Sequence, residues 1–565
     1  MRPCLAILTT SLLLCAQAFA AAAEKNPPVV SPPAVSGVER AKPNILVILA
    51  DDLGYGDVQC YNPQRGKIPT PNIDRLASQG MRFTDAHSSS GVCSPSRYSL
   101  LTGRYHWRTR LQRFIVGAFD KPLIVPDRLT IGGLAKAQGY RTACIGKWHL
   151  GFDWPITPDQ ASAMLIPCRP GKEAEVPWTS TAETVRLWSE IFSKPIKGGP
   201  TACGFDRYFG VNGNGGPPHC FLENEHTVGI PSDYLSLDTA KLARTQGPAV
   251  KDWRLEKMLP TLGDQAIAFM DQAASARKPY LVYLALTAPH TPLAVNQEWR
   301  GKSGLNDYAD FVMETDALVG RVLNALEKSG AATNTLVILT SDNGCAHYIG
   351  MAELEKKGHY PSGALRGSKA TAWEGGHRMP FIVRWPGMVR PGAICNQLAQ
   401  QSDLMATIAD IFSVRLPENA GEDSVSLLPL FRGEDRPVRE QGVSTSLDGI
   451  PAVRQGSWKL ILGNPSYALH ASEEGPQPIQ LYNLADDLGE TNDLAATHPE
   501  RVAQMRALYE NCVSDGRSTP GAAQKNDVEV KLFPSNATEK PAQQPAKPIE
   551  PPIHTHTKNA LDIPK

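Results

Sequence analysis

The sequence has no excess of charge of either sign. Its 565 residues include 57 Lys and Arg and 57 Asp and Glu, so the formal net charge is zero. A protein that binds nucleic acid or a membrane surface mainly through electrostatics needs a surplus of basic residues. We therefore expect no nucleic-acid partner and no stable membrane association. Apolar residues at 42% and charged residues at 20% are typical of a globular enzyme.

The sequence also lacks a long apolar run. No stretch after residue 23 reaches the roughly 18 apolar residues that a transmembrane helix needs. The apolar residues 5–14 form a shorter run that follows the basic Arg2 and precedes the small-residue sequence AFA at residues 18–20. This order is typical of a cleaved signal peptide. We predict a signal peptide over residues 1–23 and a protein that is exported, to the periplasm or outside the cell.

A CxxC pair is absent as well. Nine of the eleven cysteines lie after residue 23, and an odd number suggests that one of them has another function. Cys168, Cys203 and Cys220 are the candidates for disulfide formation in an oxidising compartment, although spacing does not determine pairing. Cys93 stands in the segment GVCSPSRYSLLTGR at residues 91–104. A zinc or redox site needs a second cysteine, a catalytic thiolate needs a histidine base, and neither explains the neighbouring Pro95.

Strand-like and helix-like segments alternate from residue 42 onward. Four short apolar runs predict strands that are buried on both faces, at residues 44–50, 280–286, 335–340 and 381–385. Helical patterns lie between them, for example at residues 263–272 and 307–326, and Pro71 marks the first turn of another helix. This alternation predicts an α/β fold with a mostly parallel sheet.

Changes in composition suggest where the domains begin and end. Residues 24–42 are rich in Pro and Ala and predict a flexible leader, and residues 43–439 are predicted to form the large α/β domain, with an insertion at 153–200. Short strand-like pieces from residue 440 to 517, such as residues 457–462, predict a smaller α+β domain. Residues 518–565 are rich in Pro, Lys and Gln and predict a disordered tail. No internal repeat is present.

Polar residues directly follow three of the predicted strands. Asp51 and Asp52 follow the first, His290 follows the second, and Asp342 and Asn343 follow the third. Ligands of open α/β sheets bind beyond the carboxyl ends of the strands. Three carboxylates gathered there repel one another unless a cation is present, and an all-oxygen set favours Ca²⁺ or Mg²⁺ over zinc. Each pair taken alone is also consistent with a turn or a helix cap.

Two further polar segments are candidates for the site. Lys147 and His149 are two residues apart and share one face if the chain is extended. Lys369 lies in a glycine-rich loop that continues to Glu374. The alternatives are a solvated lysine with a structural histidine in the first segment and an ordinary surface loop in the second.

Taken together, six blocks of this sequence resemble the type I sulfatases, a family of the alkaline phosphatase superfamily. The blocks are DD at 51–52, CSPSR and LTGR at 93–97 and 101–104, GKWHLG at 146–151, PH at 289–290, DNG at 342–344, and Lys369 with EGG at 374–376. The resemblance spans residues 42–515. It implies an alkaline phosphatase-like fold, with a large mixed, mostly parallel sheet sandwiched by helices and a smaller α+β C-terminal domain.

The resemblance also implies a modification of Cys93. In this family the cysteine of C-x-P-x-R is oxidised to Cα-formylglycine by a formylglycine-generating or sulfatase-maturating enzyme, which reads Pro95 and Arg97 in the unfolded chain. Cys93 is then not a thiol in the mature protein. The hydrated aldehyde has two hydroxyl groups, one to attack the sulfur atom and one to allow release of sulfate.

The same resemblance implies one Ca²⁺ per chain. Its ligands are Asp51, Asp52, Asp342, Asn343 and the modified Cys93. The ion binds a sulfate oxygen and the hydrated aldehyde. Asp342 is the expected acceptor of the proton that the attacking hydroxyl loses.

Five further residues receive catalytic roles from the resemblance. Arg97 and Lys147 are expected to stabilise the hydrate and its charge, and Lys369 to bind sulfate oxygens. His290 is expected to protonate the departing alcohol as a general acid. His149 is expected to take the proton of the second hydroxyl.

The substrate is much less determined by the sequence than the reaction. We expect a sulfuric ester hydrolase that acts on a sulfated carbohydrate or an aryl sulfate, made by a bacterium that degrades sulfated polysaccharide. Specificity is expected from residues 212–219, the 153–200 insertion and the C-terminal domain. Trp154, Trp178 and Trp188 either stack on sugar rings or belong to the core.

Two other functions remain possible from the sequence alone. One is a phosphatase or phosphodiesterase of the same superfamily, which generally uses Ser or Thr as nucleophile with two zinc ions. The other is an inactive homologue that only binds sulfated glycan, although every expected catalytic position is filled. A purely structural disulfide protein is disfavoured by the length of the chain.

Overall fold

The computed structural model describes residues 42–167, 179–243, 245–465 and 479–532. These residues belong to one compact unit that begins at Lys42. The predicted signal peptide, the leader up to residue 41, Cys168, Trp178 and residues 533–565 lie outside the described residues. No helix in the described ranges combines the length and the apolar composition that a membrane crossing requires.

The strands are numbered along the chain. They are β1 (Asn44–Asp51), β2 (Met81–Phe83), β3 (Ala86–His87), β4 (Arg141–Lys147), β5 (Ile166–Pro167), β6 (Arg207–Val211), β7 (Leu222–Glu223), β8 (His226–Thr227), β9 (Asp233–Tyr234), β10 (Thr245–Gln246), β11 (Pro248–Ala249), β12 (Tyr280–Pro289), β13 (Thr335–Ser341), β14 (Phe381–Arg384), β15 (Ala393–Cys395), β16 (Ala399–Gln400), β17 (Gln441–Thr445), β18 (Pro451–Gln455), β19 (Trp458–Ile461) and β20 (Gln480–Asn483).

The α-helices are numbered in the same way. They are α1 (Pro71–Ser78), α2 (Cys93–Thr102), α3 (Ile131–Ala137), α4 (Pro158–Ala163), α5 (Ala182–Phe192), α6 (Leu237–Ala243), α7 (Met258–Ser275), α8 (Asp307–Lys328), α9 (Met351–Lys356), α10 (Glu374–His377), α11 (Leu404–Ile411), α12 (Leu428–Phe431) and α13 (Pro499–Ser514).

A large mixed sheet forms the centre of the molecule. Within the described residues it has ten strands in the order β15-β2-β14-β13-β1-β12-β4-β6-β7-β8. The five central strands, from β13 to β6, are parallel. β14 runs antiparallel to both β13 and β2, and β7 runs antiparallel to β6. The carboxyl ends of the central strands therefore lie at one edge of the sheet.

Helices cover both faces of this sheet. Alternate residues of β1 point to opposite sides, so that Ile45 belongs to one buried apolar cluster and Leu46 to the other. α3 and α11 contribute to the first cluster, and α1, α7 and α8 contribute to the second. This double burial is the reason that the strand sequences are continuously apolar.

The structure confirms the predicted α/β fold and its buried strands. The strand predicted over residues 44–50 runs one residue further, to Asp51, and the one predicted over 280–286 continues to Pro289. The fourth predicted strand ends at Arg384 and is antiparallel to its neighbour, which makes the sheet mixed. Pro71 is the first residue of α1, as predicted.

A second, smaller sheet follows in the C-terminal part of the chain. β17, β18, β19 and β20 form an antiparallel sheet in sequence order. Apolar residues of α13, including Met505 and Tyr509, pack against Val453 and Leu460 of this sheet. The sheet and the helix correspond to the predicted α+β domain, while its boundaries at residues 440 and 517 stay a prediction.

The prediction of a disordered tail from residue 518 is wrong for residues 518–532. Asp527 Oδ1 lies 3.1 Å from Nη2 of the buried Arg104, and Asn526 Oδ1 accepts a 3.0 Å hydrogen bond from Arg108 Nη1. Buried guanidinium groups need acceptors, because an unpaired buried charge is costly. This segment of polar composition is therefore ordered by the partners it supplies to two buried arginines.

Two tryptophans and two cysteines that the sequence left open are buried in the core. Trp154 and Trp188 are each 3% exposed and pack among apolar residues, so they are core residues and not sugar platforms. Cys203 and Cys220 are buried free thiols. The third cysteine considered for pairing, Cys168, lies outside the described residues.

Candidate active site

Four neighbouring parallel strands, β13, β1, β12 and β4, end at one edge of the large sheet. The polar residues at these ends, or directly after them, are Asp51, Asp52, Asp342, Asn343, Lys147 and His290. Asp52 has a φ of 65°, which turns the chain sharply away from β1. The sheet thus gathers the side chains that the sequence pattern placed there.

Cys93 lies among these side chains as the first residue of α2. It is 2% exposed. Its Sγ atom is 3.6 Å from Asp51 Oδ1, 3.5 Å from Lys147 Nζ and 3.8 Å from Lys369 Nζ. Burial raises the pKa of the Cys93 thiol to about 12. An unmodified thiol at this position is therefore protonated and unsuited to nucleophilic attack.

The small sheet fixes the backbone that leads into Cys93. Gly91 N donates to Thr445 O at 2.8 Å, and Thr445 N donates to Ser89 O at 3.0 Å. Thr445 is the last residue of β17. Cys93 is therefore held by the large sheet on one side and by the C-terminal sheet on the other.

Two lysines pair with the two aspartates after β1. Lys147 Nζ lies 2.7 Å from Asp51 Oδ2, and Lys369 Nζ lies 2.7 Å from each carboxylate oxygen of Asp52. Lys147 is 1% exposed, and the Lys369 side chain is 12% exposed. Lys369 is thus the lysine that a ligand entering from solvent reaches more easily.

Arg97 pairs with the third carboxylate. Its Nε and Nη2 donate to Asp342 Oδ2 at 3.0 and 2.8 Å, and its Nη1 donates to Lys147 O at 2.7 Å. The other Asp342 oxygen, Oδ1, accepts the backbone N–H of Asp52 at 3.2 Å. Arg97 therefore holds Asp342 and the end of β4 in place.

The charges of this cluster shift the pKa values of its carboxyl groups. Burial alone would raise the pKa of Asp51, but Lys147, with smaller contributions from His290 and Arg97, holds it well below its usual range. Burial, followed by the charge of Asp51, raises the pKa of Asp342 to about 6. The site contains three carboxylates and three basic side chains. The negative charge of Asp342, which lies close to that of Asp51, is nevertheless only partly stabilised.

The donor set suits a hard divalent cation. One ligand atom from each of Asp51, Asp52, Cys93 and His290 lies within 4.8 Å of the others. Asn343 Oδ1 is buried without a hydrogen-bond partner in the described part of the chain, while its Nδ2 donates to Asp52 Oδ1 at 2.6 Å. Carboxylate and amide oxygens are the ligands that Ca²⁺ prefers. An unpartnered amide oxygen beside these carboxylates fits such an ion.

The two candidate catalytic histidines are both partly buried. His149 is half-buried with a φ of 56°, and desolvation of its ring, followed by the charge of Lys147, lowers its pKa well below the usual value. The side chain of His290 is 18% exposed, and its Nε2 lies 3.6 Å from Asp52 Oδ2. Its Nδ1 is hydrogen-bonded to the carbonyl of Thr291. Burial, and then Lys369, lowers the pKa of His290 to about 4.

Asn214 is a site residue that the sequence pattern did not single out. Its Nδ2 donates to Asp51 Oδ2 at 2.8 Å and to Thr287 O at 3.0 Å. It lies in the glycine-rich segment of residues 212–219, which was expected only to shape the substrate pocket. A buried asparagine among glycines gives no local signal of its partner, because Asp51 is 163 residues away in the chain.

The fold and this cluster define an α/β enzyme with a charged site for an anionic substrate. The family model described as Sulfatase matches residues 43–414, and the chain belongs to the sulfatase family. It is therefore an enzyme that hydrolyses sulfate esters.

Known proteins similar to this chain carry the same activity in their names. The N-acetylgalactosamine-6-O-sulfatase of Bacteroides thetaiotaomicron is 31% identical over 529 residues, which cover 84% of this chain and 94% of that protein. Arylsulfatase A of Bos taurus is 32% identical over 531 residues, covering 87% and 93%. A solved structure from work on glycosaminoglycan metabolism by B. thetaiotaomicron superposes with a TM-score of 0.71 at 30% identity, covering 83% and 99%.

Replacing Asn214 by alanine tests its place in the site. We expect kcat/KM for an aryl sulfate to fall by about ten- to a hundredfold, because a hydrogen bond to a charged group is worth about 1.5–3 kcal/mol. The control is Asn324→Ala on the surface of α8, which should keep the wild-type rate. An unchanged kcat/KM in a folded Asn214→Ala protein would remove Asn214 from the site.

Proposed function

We propose that this sulfatase uses a Cα-formylglycine made from Cys93, together with one bound Ca²⁺, to release sulfate from a sulfated carbohydrate. The observation that carries the proposal is the position of Cys93 Sγ, which lies within 3.8 Å of Asp51, Lys147 and Lys369. A buried neutral thiol has no use in such a charged shell. A hydroxyl-bearing side chain at the same place is suited to attack on an anionic ester.

Ca²⁺, when bound, polarises the sulfate ester and lowers the energy of negative charge on the nucleophile. Asp51, Asp52, Asp342 and Asn343 would hold it, with the modified residue 93. With the ion, the three carboxylates and three basic side chains carry an excess of positive charge. That excess favours a sulfate ester, which is an anion, over a neutral ligand.

The hydrated aldehyde supplies two hydroxyl groups on one carbon atom, one to attack sulfur and one whose later deprotonation allows sulfate to leave. Lys147 and Lys369 flank this position and offset the charge on the sulfate oxygens. Lys369, the more exposed of the two, binds the substrate sulfate. Arg97 acts through Asp342, which it holds as the acceptor of the first proton.

His290 protonates the departing alcohol. The carbonyl of Thr291 accepts the Nδ1–H, so that Nε2 is the nitrogen that gains and gives the catalytic proton. The negative charge of a bound sulfate ester favours the protonated imidazole, which offsets the effect of burial. His149, which lies two residues after Lys147, accepts the proton of the second hydroxyl.

The substrate class rests on the relatives. One of them is named for the 6-sulfate of N-acetylgalactosamine, and others are arylsulfatases. We propose a sulfated sugar, with residues 212–219 and the C-terminal sheet shaping the pocket. We further propose export from a bacterial cell and conversion of Cys93 by a formylglycine-generating or sulfatase-maturating enzyme. We also propose that the catalytic domain spans residues 43–439 and that the smaller C-terminal domain spans residues 440–517.

The phosphatase alternative is less consistent with the site. Residue 93 is a cysteine followed by Pro95 and Arg97, in place of a serine or threonine. An inactive glycan-binding homologue is disfavoured because every expected catalytic position is filled, and Lys147 and Lys369 lie within 3.8 Å of Cys93 Sγ. Parallel assays on 4-nitrophenyl sulfate and 4-nitrophenyl phosphate separate these functions.

Removal of Ca²⁺ should lower both stability and activity. A chelator leaves the repulsion among Asp51, Asp52 and Asp342 less compensated, so we expect a lower Tm and a lower kcat. Both should return on addition of Ca²⁺. Thermal unfolding and sulfate release are measured on the same sample, and full activity with an unchanged Tm in excess chelator would contradict the metal assignment.

Substitution of His290 by alanine should slow sugar sulfates more than aryl sulfates. A sugar alkoxide is a strongly basic leaving group and needs a proton, whereas nitrophenolate leaves without one. We expect a loss of about 10²–10⁴-fold in kcat on the sugar sulfate and a much smaller loss on 4-nitrophenyl sulfate. Equal losses on the two substrates would exclude His290 as the general acid.

Mass analysis of the peptide that contains Cys93 tests the nucleophile directly. The mature enzyme should carry an aldehyde in place of the thiol.

Cys93→Ser should keep a single hydroxyl, which can attack sulfur but cannot release sulfate by forming a carbonyl. This variant should stop after at most one turnover with sulfate esterified to Ser. Repeated turnover at the wild-type rate would refute the hydrate mechanism and favour the phosphatase-like alternative.

A further inference from the structure

Lys369 lies on a loop whose backbone is set by its neighbours. We define the Lys369 loop as residues 366–376. The residue after the lysine, Ala370, has a φ of 75°, in the left-handed region that side chains disfavour. Its N–H donates to Gly91 O at 2.8 Å, and its carbonyl accepts from Leu447 N at 2.9 Å. The conformation at Lys369 therefore depends on contacts outside the loop.

Glu490, from the turn after β20, contacts both ends of this loop. Its backbone carbonyl accepts a 2.6 Å hydrogen bond from Arg366 Nη1 at the start of the loop. Its Oε2 accepts the backbone N–H of Glu374 at 2.7 Å near the end. The two ends also meet each other, because Gly375 N donates to Arg366 O at 2.7 Å. Glu490 itself has a φ of 51°, so its backbone is held in a disfavoured conformation to make both contacts.

Lys459 of β19 holds the carboxylate of Glu490 in place. Its Nζ lies 2.8 Å from Glu490 Oε1 and 3.0 Å from Glu374 Oε1. Arg378 Nη1 lies 3.1 Å from the other oxygen, Glu374 Oε2. Glu374, Lys459 and Glu490 are each 0% exposed. Such a buried cluster has little freedom to rearrange, since each charge is costly without its partners.

Glu374 also belongs to a second group, in which His87, Glu374 and His377 have ligand atoms within 4.8 Å of one another. This group is not suited to a metal ion. The two histidines share a hydrogen bond between their Nδ1 atoms, 3.1 Å apart. The Glu374 carboxylate is already shared by Lys459 and Arg378. An added cation would meet these positive charges at close range. The cluster is therefore an ion-pair network that connects the C-terminal sheet to the catalytic domain.

We propose that Glu490 is a positioning residue for the catalytic Lys369. By joining Arg366 to Glu374 it closes the loop and keeps Lys369 Nζ at 2.7 Å from the Asp52 carboxylate. The inference rests on the proposed role of Lys369 as the residue that binds the substrate sulfate. Loss of the Glu490 side chain leaves the N–H of Glu374 without its acceptor and removes one of the two carboxylates that offset the charge of Lys459. The loop then samples positions in which Lys369 is displaced.

Steady-state kinetics of two Glu490 variants test this proposal on 4-nitrophenyl sulfate. Glu490→Ala should raise KM by about tenfold, while Glu490→Gln, which keeps an acceptor for the Glu374 N–H, should raise it by about threefold. The matched control is Asp486→Asn, an exposed carboxylate on the same turn, which should keep the wild-type KM. An unchanged KM in both Glu490 variants, measured on folded protein, would overturn the proposal.

A double-mutant cycle separates positioning from a general loss of structure. If Glu490 acts through Lys369, Glu490→Gln should change KM by less than twofold in a Lys369→Ala background. Effects that multiply in the double variant would show a merely structural role and overturn the proposal. Should Glu490→Ala fail to fold, the cycle with the conservative glutamine variant decides.

Hydrogen exchange gives a readout that does not depend on activity. The amides of Ala370, Ala372 and Glu374 should exchange about tenfold faster in Glu490→Ala than in Asp486→Asn, with α7 unchanged. If Lys369→Ala alone leaves KM unchanged, the proposed role of Lys369 fails, and faster exchange confined to the loop still supports the positioning by Glu490. Equal protection of the loop in the two variants would refute it.

Discussion

Repulsion among three carboxylates at one edge of the large sheet is the constraint on which the site depends. At an effective dielectric constant of about 20, two unit charges 4 Å apart interact by about 4 kcal/mol, so three such groups cannot stay ionised unaided. Each is offset by a basic side chain from a different element: Lys147 at the end of β4, Arg97 in α2, and Lys369 on its loop. The need for these cations explains why so many separate segments converge on this edge.

Much of this arrangement could be predicted from local sequence. Residues 44–50 and 335–340 are continuously apolar because helices cover both faces of the sheet, and the polar residues after them lie at the carboxyl edge in any parallel sheet. Family motifs pointed to Cys93 and Lys369. In the structure Cys93 lies beside Asp51, and Lys369 lies beside Asp52.

The remaining features depend on contacts that no local pattern records. Asn214 meets Asp51 across 163 residues, and Glu490 meets Glu374 across 116. Tryptophan content did not distinguish a sugar platform from the core, where Trp154 is buried. The polar composition of residues 518–532 predicted disorder, because composition does not reveal that two buried arginines need acceptors there.

The pairing of β17 with the backbone before Cys93 has a consequence for the order of events during synthesis. Ser90 and Thr445 are 355 residues apart, so this contact cannot form until the ribosome has made at least 445 of the 565 residues. Once it forms, Cys93 is only 2% exposed. Any enzyme that modifies this cysteine would therefore have to act before this contact forms. Modification at this position would thus compete with folding, and the position of β17 late in the sequence would lengthen the time available for it.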